Sequence, residues 1–202
     1  METPPLTPPS PEFLAQRETR LTELRATLDA SIGSHASIIL EIGCGHGHFL
    51  TALAATRPDS LHLGIDLIPD RIKRAERKRD RAHLSNLAFV RGEAAEVIAS
   101  LPPKVRLEDT YILFPDPWPK RRHHKNRLIQ PDFLSELAAR SAPHARLSFR
   151  TDHEPYFKEA FNTILSHSKW SVDEHAAWPF ELSTVFQQRA ATYFSLVATA
   201  RI

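Results

Sequence analysis

Between residues 37 and 168, short apolar runs alternate five times with helix-length stretches. The runs "SIILEIG" (37–43), "SLHLGIDL" (60–67), "LAFVRG" (87–92), "TYILFPDP" (110–117) and "ARLSFRTD" (145–152) have the length and content of buried strands. Each is followed by a helical pattern, at 46–58, 69–84, 93–100, 131–141 and 154–168. Two further runs, 169–175 and 191–200, read as closing strands. Strands joined through helices lie parallel, and the right-handed crossovers place helices against the sheet. The expected fold is α/β: a doubly wound, mostly parallel seven-stranded sheet with helices on both faces. Ligands in such folds bind at the carboxyl ends of the strands.

Upstream, Ser10 can cap a helix with Pro11 at its first position. Leu14, Leu21, Leu24 and Leu28 then share one face of a helix expected over 11–30. Residues 1–10 are Pro-rich and expected to be an extended or disordered tail, with 11–202 forming one domain. The single cysteine allows no internal disulfide, which fits a reducing cytoplasm. No apolar run is long enough for a membrane, and the N-terminus lacks the basic start and apolar stretch of a secretory signal. The net charge is only +2, so the placement of charge matters more than its total.

The strand ends carry the chemistry. "EIGCGHGHF" puts Gly43, Gly45 and Gly47 directly after the first strand, where glycine permits positive φ and a close approach to the backbone. The spacing is G-x-G-x-G rather than the dinucleotide fingerprint G-x-G-x-x-G. Glu41 precedes the loop, and Asp66 ends the second strand, where an acid can accept ribose hydroxyls. Glu93, after the third strand, reads either as an adenine contact or as a helix cap. A nucleoside cofactor follows, with NAD and S-adenosylmethionine both open from these residues. Cys44, His46 and His48 diverge on a glycine-rich turn without a fourth ligand, so no metal is expected. After the fourth strand, "FPDPWPKRRHHKNR" holds Asp116 between two prolines, with Trp118 as a stacking or anchoring ring. Five basic residues and two histidines then follow without an acid.

That run, with "EIGCGHG", "GID", "RGEA", "FRTD" and "STVFQ" in order, resembles the bacterial tRNA (guanine-N7-)-methyltransferase family over residues 38–193. The resemblance implies a Rossmann-like class I methyltransferase fold, S-adenosylmethionine as cofactor, and N7 of guanosine 46 in the tRNA variable loop as target. It assigns Glu41, Gly43, Gly45, Gly47, Asp66, Glu93 and Asp116 to the cofactor, with Asp116 also the catalytic position. It assigns Lys120, Arg122, His123, His124, Lys125, Arg127, Asp152, Thr184 and Gln187 to the substrate. The implied partner is tRNA, with no membrane and, as in the bacterial single-subunit form, no obligate protein partner. Gln187 stands where the family has Glu, and Asn126 interrupts the usual basic triplet. An amide at 187 still accepts a hydrogen bond but brings no charge.

The chemistry is consistent with these residues. Guanine N7 has a lone pair and no proton, so its methylation needs orientation rather than a base. Asp116 and Asp152, at neighbouring strand ends, could face one base, although Asp152 also reads as a helix cap. The cations would hold phosphates. The basic stretch within 69–84 reads as a solvated face or an extension of that track. Rival readings are a methyltransferase of another base or amino group, a nicotinamide oxidoreductase, and an RNA-binding relative without catalysis.

Overall fold

The structure is a computed structural model and describes residues 10–182 and 192–202. Thr184 and Gln187 lie outside the described residues, as does the stretch before Ser10. Helix α1 (Pro11–Ile32) begins where Ser10 accepts the Phe13 N–H at 3.2 Å and ends at Gly33, which adopts φ 58°. Leu21, Leu24, Leu28 and Ile32 are buried, but Leu14 stays 49% exposed. The hydrophobic stripe thus engages only the later turns, and the first turns run along the surface.

The other elements are β1 (Ser37–Ile42), α2 (His48–Thr56), β2 (His62–Asp66), α3 (Pro69–Arg81), β3 (Leu87–Arg91) and α4 (Ala94–Ser100). They continue with β4 (Arg106–Leu113), a 3-10 turn (Arg121–Asn126), α5 (Pro131–Arg140), β5 (Ser141–Thr151), α6 (Glu154–Leu165), β6 (Trp170–Asp173) and β7 (Phe194–Ala200). One seven-stranded sheet has the order β3-β2-β1-β4-β5-β7-β6. The first five strands are parallel, and β7 runs antiparallel to both β5 and β6. Strand order reverses between β1 and β4, which puts the ligand crevice of a doubly wound sheet there.

Alternation along the strands builds two cores. Ile38, Leu40 and Ile42 of β1 face α1, α4, α5 and α6. Ile39 and the β4 residue Tyr111 face α2, α3 and Phe180. The doubly wound expectation holds, with both faces covered.

β4 and β5 each begin four residues earlier than their apolar runs. The extension of β4 carries Asp109, which is 5% exposed and accepts from Arg57 at 2.8 Å and from Arg146 at 2.8 and 3.0 Å. Two arginines make a buried acid tolerable in a strand. Among the described residues, no helix is long and apolar enough to cross a membrane.

Candidate active site

The glycine loop joins β1 to α2 with Gly43, Gly45 and Gly47 at φ 75°, 53° and 68°. A side chain at Gly43 or Gly45 would point into open space, so these two glycines shape an open cradle. Gly47 differs. A Cβ there would lie 2.6 Å from the Phe89 ring and 2.8 Å from Ala75. Its bare backbone is required by packing of the loop on α3 and β3, as much as by any ligand. Gly47→Ala combines left-handed strain with overpacking and should cost about 2 kcal/mol, read as a lowered urea midpoint. An unchanged midpoint would show that the contact relaxes freely.

Asp66, at the end of β2, is 5% exposed and locks the loop. One carboxylate oxygen accepts the Gly45 N–H at 3.0 Å and the other the Ile68 N–H at 2.9 Å, with Arg71 at 3.4 Å. Oδ1, which accepts only the Ile68 N–H, retains acceptor capacity for a hydroxyl. Glu93 is the N-cap of α4, accepting from Glu96 N at 3.0 Å. It also lines a cavity of about 550 Å³ with Leu67, Gly92, Thr27 and Glu23. Cap and cavity wall are therefore the same side chain.

Glu41 is 3% exposed, and its Oε2 has no hydrogen-bond partner among the described residues. Burial pushes its carboxyl up to about 8, opposed by the Leu50 backbone N–H and reinforced by the charge of Asp66. Glu41 pairs in register with Tyr111, and Tyr111 with Ser148. The Tyr111 hydroxyl and Ser148 Oγ are likewise buried without partners among the described residues. Three side chains with unsatisfied polar atoms thus stand in one row across β1, β4 and β5. Burial also pushes the Cys44 thiol well above its ordinary value, so it packs as a small apolar group. Among the described residues no three His, Cys, Asp or Glu side chains gather as for an ion.

Glu41 gives a pH dependence with a definite sign. The unfolded chain releases this proton near the ordinary 4.5, whereas the folded chain keeps it to about 8. Between those values the folded state binds more protons, so stability falls as pH rises through the window. Glu41→Gln should flatten that slope and raise the thermal midpoint at pH 8 in cofactor-free protein. Parallel pH–stability curves for the two proteins would contradict the assignment.

The ends of β4 and β5 meet where Phe114 N–H donates to Arg150 O at 2.7 Å. Asp116 and Asp152 each lie two residues beyond that bond, and both are exposed. Asp152 does not cap α6: His153 does, its Nδ1 accepting from Tyr156 N at 3.1 Å. Phe114 and Trp118 bracket Asp116 with φ of 50° and 45°. Both precede prolines, which disfavour right-handed helical backbone. Left-handed backbone at two aromatic residues is strain held by the surroundings. Trp118 is 37% exposed and packs edge-on against His123, with ring centres 5.9 Å apart.

The basic run is not a plain loop. Residues Arg121–Asn126 form the 3-10 turn, leaving Lys120, Arg121, Arg122 and Lys125 exposed and His123 and His124 half-buried. Arg127, expected among the substrate contacts, is placed differently from its exposed neighbours. It is 2% exposed, donates to Pro117 O at 2.9 Å and to Glu159 at 2.5 Å, and lies over the Tyr156 ring at 4.9 Å. Through Nε and Nη1 its guanidinium bolts the turn to α6, while Nη2 is buried without a partner among the described residues.

Arg150 carried no signal beyond being a charge inside a buried strand. It grips Glu181 with two bonds of 2.9 and 3.0 Å, donates to Ser195 Oγ at 2.8 Å, and lies over Trp178 at 4.0 Å and Tyr193 at 4.7 Å. A bidentate, stacked arginine is geometrically demanding. It fixes residues on either side of 183–191 to the end of β5.

Comparison with known proteins bears on the family and the fold. Residues 35–193 match the family model described as "Putative methyltransferase". A tRNA (guanine-N(7)-)-methyltransferase of Nitrosomonas europaea is 35% identical over 172 residues, covering 84% of this chain and 77% of that protein. One from Alkalilimnicola ehrlichii is 38% identical over 137 residues, covering 68% of this chain and 58% of that protein. The chain thus spans little more than half the length of some relatives it matches. Among solved structures, an O-methyltransferase from Bacillus cereus superposes with TM-score 0.59 at 14% identity, over 97% of this chain and 83% of that one. The aminoglycoside resistance methyltransferase NpmB1 gives TM-score 0.57 at 17% identity, over 87% and 93%. These two likenesses establish the class I methyltransferase fold, and the sequence matches go further: the chain belongs to the tRNA (guanine-N(7)-)-methyltransferase family.

Proposed function

We propose that this protein transfers a methyl group from S-adenosylmethionine to N7 of guanosine 46 in the variable loop of tRNA, in the cytoplasm. The observation that carries the reading is the convergence at the sheet's switch point. The open glycine cradle, Asp116 between two strained aromatic residues, and Asp152 lie along the ends of adjacent strands β1, β4 and β5.

The residues present fit the cofactor. Gly43 and Gly45 leave room above the loop, Asp66 Oδ1 has acceptor capacity for a hydroxyl, and Glu41 has a buried oxygen without a partner among the described residues. Glu93 and Leu67 line the adjoining cavity. When bound, S-adenosylmethionine supplies an electrophilic methyl group.

The chain's part is orientation and charge. Asp116 and Asp152 accept hydrogen bonds from the N1–H and amino edge of the guanine, holding N7 outward. Methylation leaves positive charge on the purine, and these carboxylates stabilise it once substrate excludes water. No group need remove a proton, since N7 carries none. Lys120, Arg122 and Lys125 hold phosphates while His123, His124 and Trp118 shape the surface around the extruded base. Thr184 and Gln187 complete the base contacts in this reading.

Labelled S-adenosylmethionine and unmodified bulk tRNA, followed by nucleoside analysis, test the proposal. N7-methylguanosine is expected. A different methylated base would move the function to another RNA methyltransferase class, and tRNA binding without methylation would support the non-catalytic rival.

A further inference from the structure

Seven of the chain's 26 lysines and arginines lie in α3, against three of its 24 acids. Two of these acids are spent within the helix. Asp70 pairs with Arg74 at 2.9 Å, and Asp80 with Arg79 at 2.8 Å. Arg77, Lys78 and Arg81 have no carboxylate partner among the described residues. With Arg74 they stand at i, i+3, i+4 and i+7, one stripe along the helix. The stripe forms one wall of a groove of about 690 Å³, and His46 and His48 of the glycine-loop region form the other. Lys78 Nζ sits 2.7 Å from His48 Nδ1. Partial burial, then the charge of Lys78, then His46, lower His48 from its ordinary 6.5, so the neutral ring accepts from the ammonium and holds it in the groove.

Nothing in the fold calls for this arrangement. α3 docks through Ile72 and Ala75, and the groove cations are not part of that contact. Arg77, Lys78 and Arg81, side by side on one wall, outnumber Asp80, the acid that also lines the groove, and repel one another; a ligand of opposite charge relieves that. The stripe spans about 10 Å at ~1.5 Å per residue, long enough to meet more than one phosphate of a strand. Its place is also informative. α3 covers the β2–β3 half of the sheet, while the 3-10 turn follows β4, on the other side of the glycine loop.

We propose that the groove between α3 and His46/His48 is a second phosphate-binding surface for RNA, so that the nucleic acid straddles the glycine loop, held on one side by Arg74, Arg77, Lys78 and Arg81 and on the other by Lys120, Arg122 and Lys125. The proposal rests on the tRNA reading above and adds a surface to it. Arg77 and Arg81 are outside the cofactor and base contacts assigned there.

The test compares wild-type protein, the Arg77→Gln/Arg81→Gln double variant and the corresponding double lysine variant. tRNA binding is followed by fluorescence anisotropy from about 50 to 200 mM salt. The glutamine variant should bind tRNA roughly tenfold more weakly, with the slope of log K against log salt reduced by about 2. The lysine variant should restore both, while S-adenosylmethionine affinity and the thermal midpoint match wild type in each. A glutamine variant with wild-type affinity and slope overturns the second surface and leaves the tRNA reading standing. Wild-type protein that fails to bind tRNA overturns both.

Discussion

Asp116→Asn should lower turnover on tRNA about a hundredfold while leaving the Kd for tRNA within about a factor of two. Losing one preorganised electrostatic partner of a developing charge typically costs a factor of ~10²–10³ in rate. Asparagine keeps the size and one acceptor oxygen, so the turn between Phe114 and Trp118 should persist. In the proposed reaction, what it loses is negative charge beside a purine that becomes cationic. In the proposed reading the phosphate contacts, which dominate affinity, lie elsewhere, on Lys120, Arg122, Lys125 and the α3 stripe. Rapid-quench single-turnover kinetics with saturating tRNA separate the two quantities. Abolished binding with an unchanged methyl-transfer rate would make Asp116 a binding residue and remove it from the chemistry.

Arg127→Gln should cost about 2 kcal/mol of stability, less than breaking a fully buried ion pair because the Glu159 side chain stays 35% exposed. For a chain of this length that lowers the thermal midpoint by roughly 4–8 °C. The loss includes the bond to Pro117 O, the bridge to Glu159 and the contact with the Tyr156 ring. The salt dependence of tRNA binding should stay at its wild-type slope. Lys125→Gln should do the reverse: the exposed ammonium contributes nothing to folding, but its loss reduces the slope by about 1. Calorimetry and binding titrations on both variants decide the matter. A wild-type midpoint with a reduced slope for Arg127→Gln would make Arg127 a phosphate ligand after all.

These two residues, Lys125 and Arg127, show where reading a sequence stops. They stand two apart in one basic run, and charge alone gives them the same role. What separates them is Glu159 on α6 and the carbonyl of Pro117, partners set by tertiary packing. The same holds for Asp109, which interrupts an apolar run and hid the start of β4 until Arg57 and Arg146 supplied its compensation. Arg150 and Glu181 are a further pair that no local pattern links. Periodic features fared better. Strand–helix alternation, the loop glycines and the strand-end acids follow from short-range rules, and the fold delivers them where those rules require. Capping fell between the two, since Ser10 caps α1 as its sequence context predicts, whereas His153, not Asp152, caps α6. Leu14 shows the limit of periodicity: it lies on the apolar stripe of α1, but the surface it would cover ends before it.

The most direct test of the account uses one tRNA transcript and locates the modification. After reaction with S-adenosylmethionine, reduction and aniline scission cleave the chain at N7-methylguanosine. The account predicts a single cleavage at guanosine 46, absent when that position is adenosine. Cleavage at another guanosine, or methylation that leaves the chain resistant to scission, would contradict it.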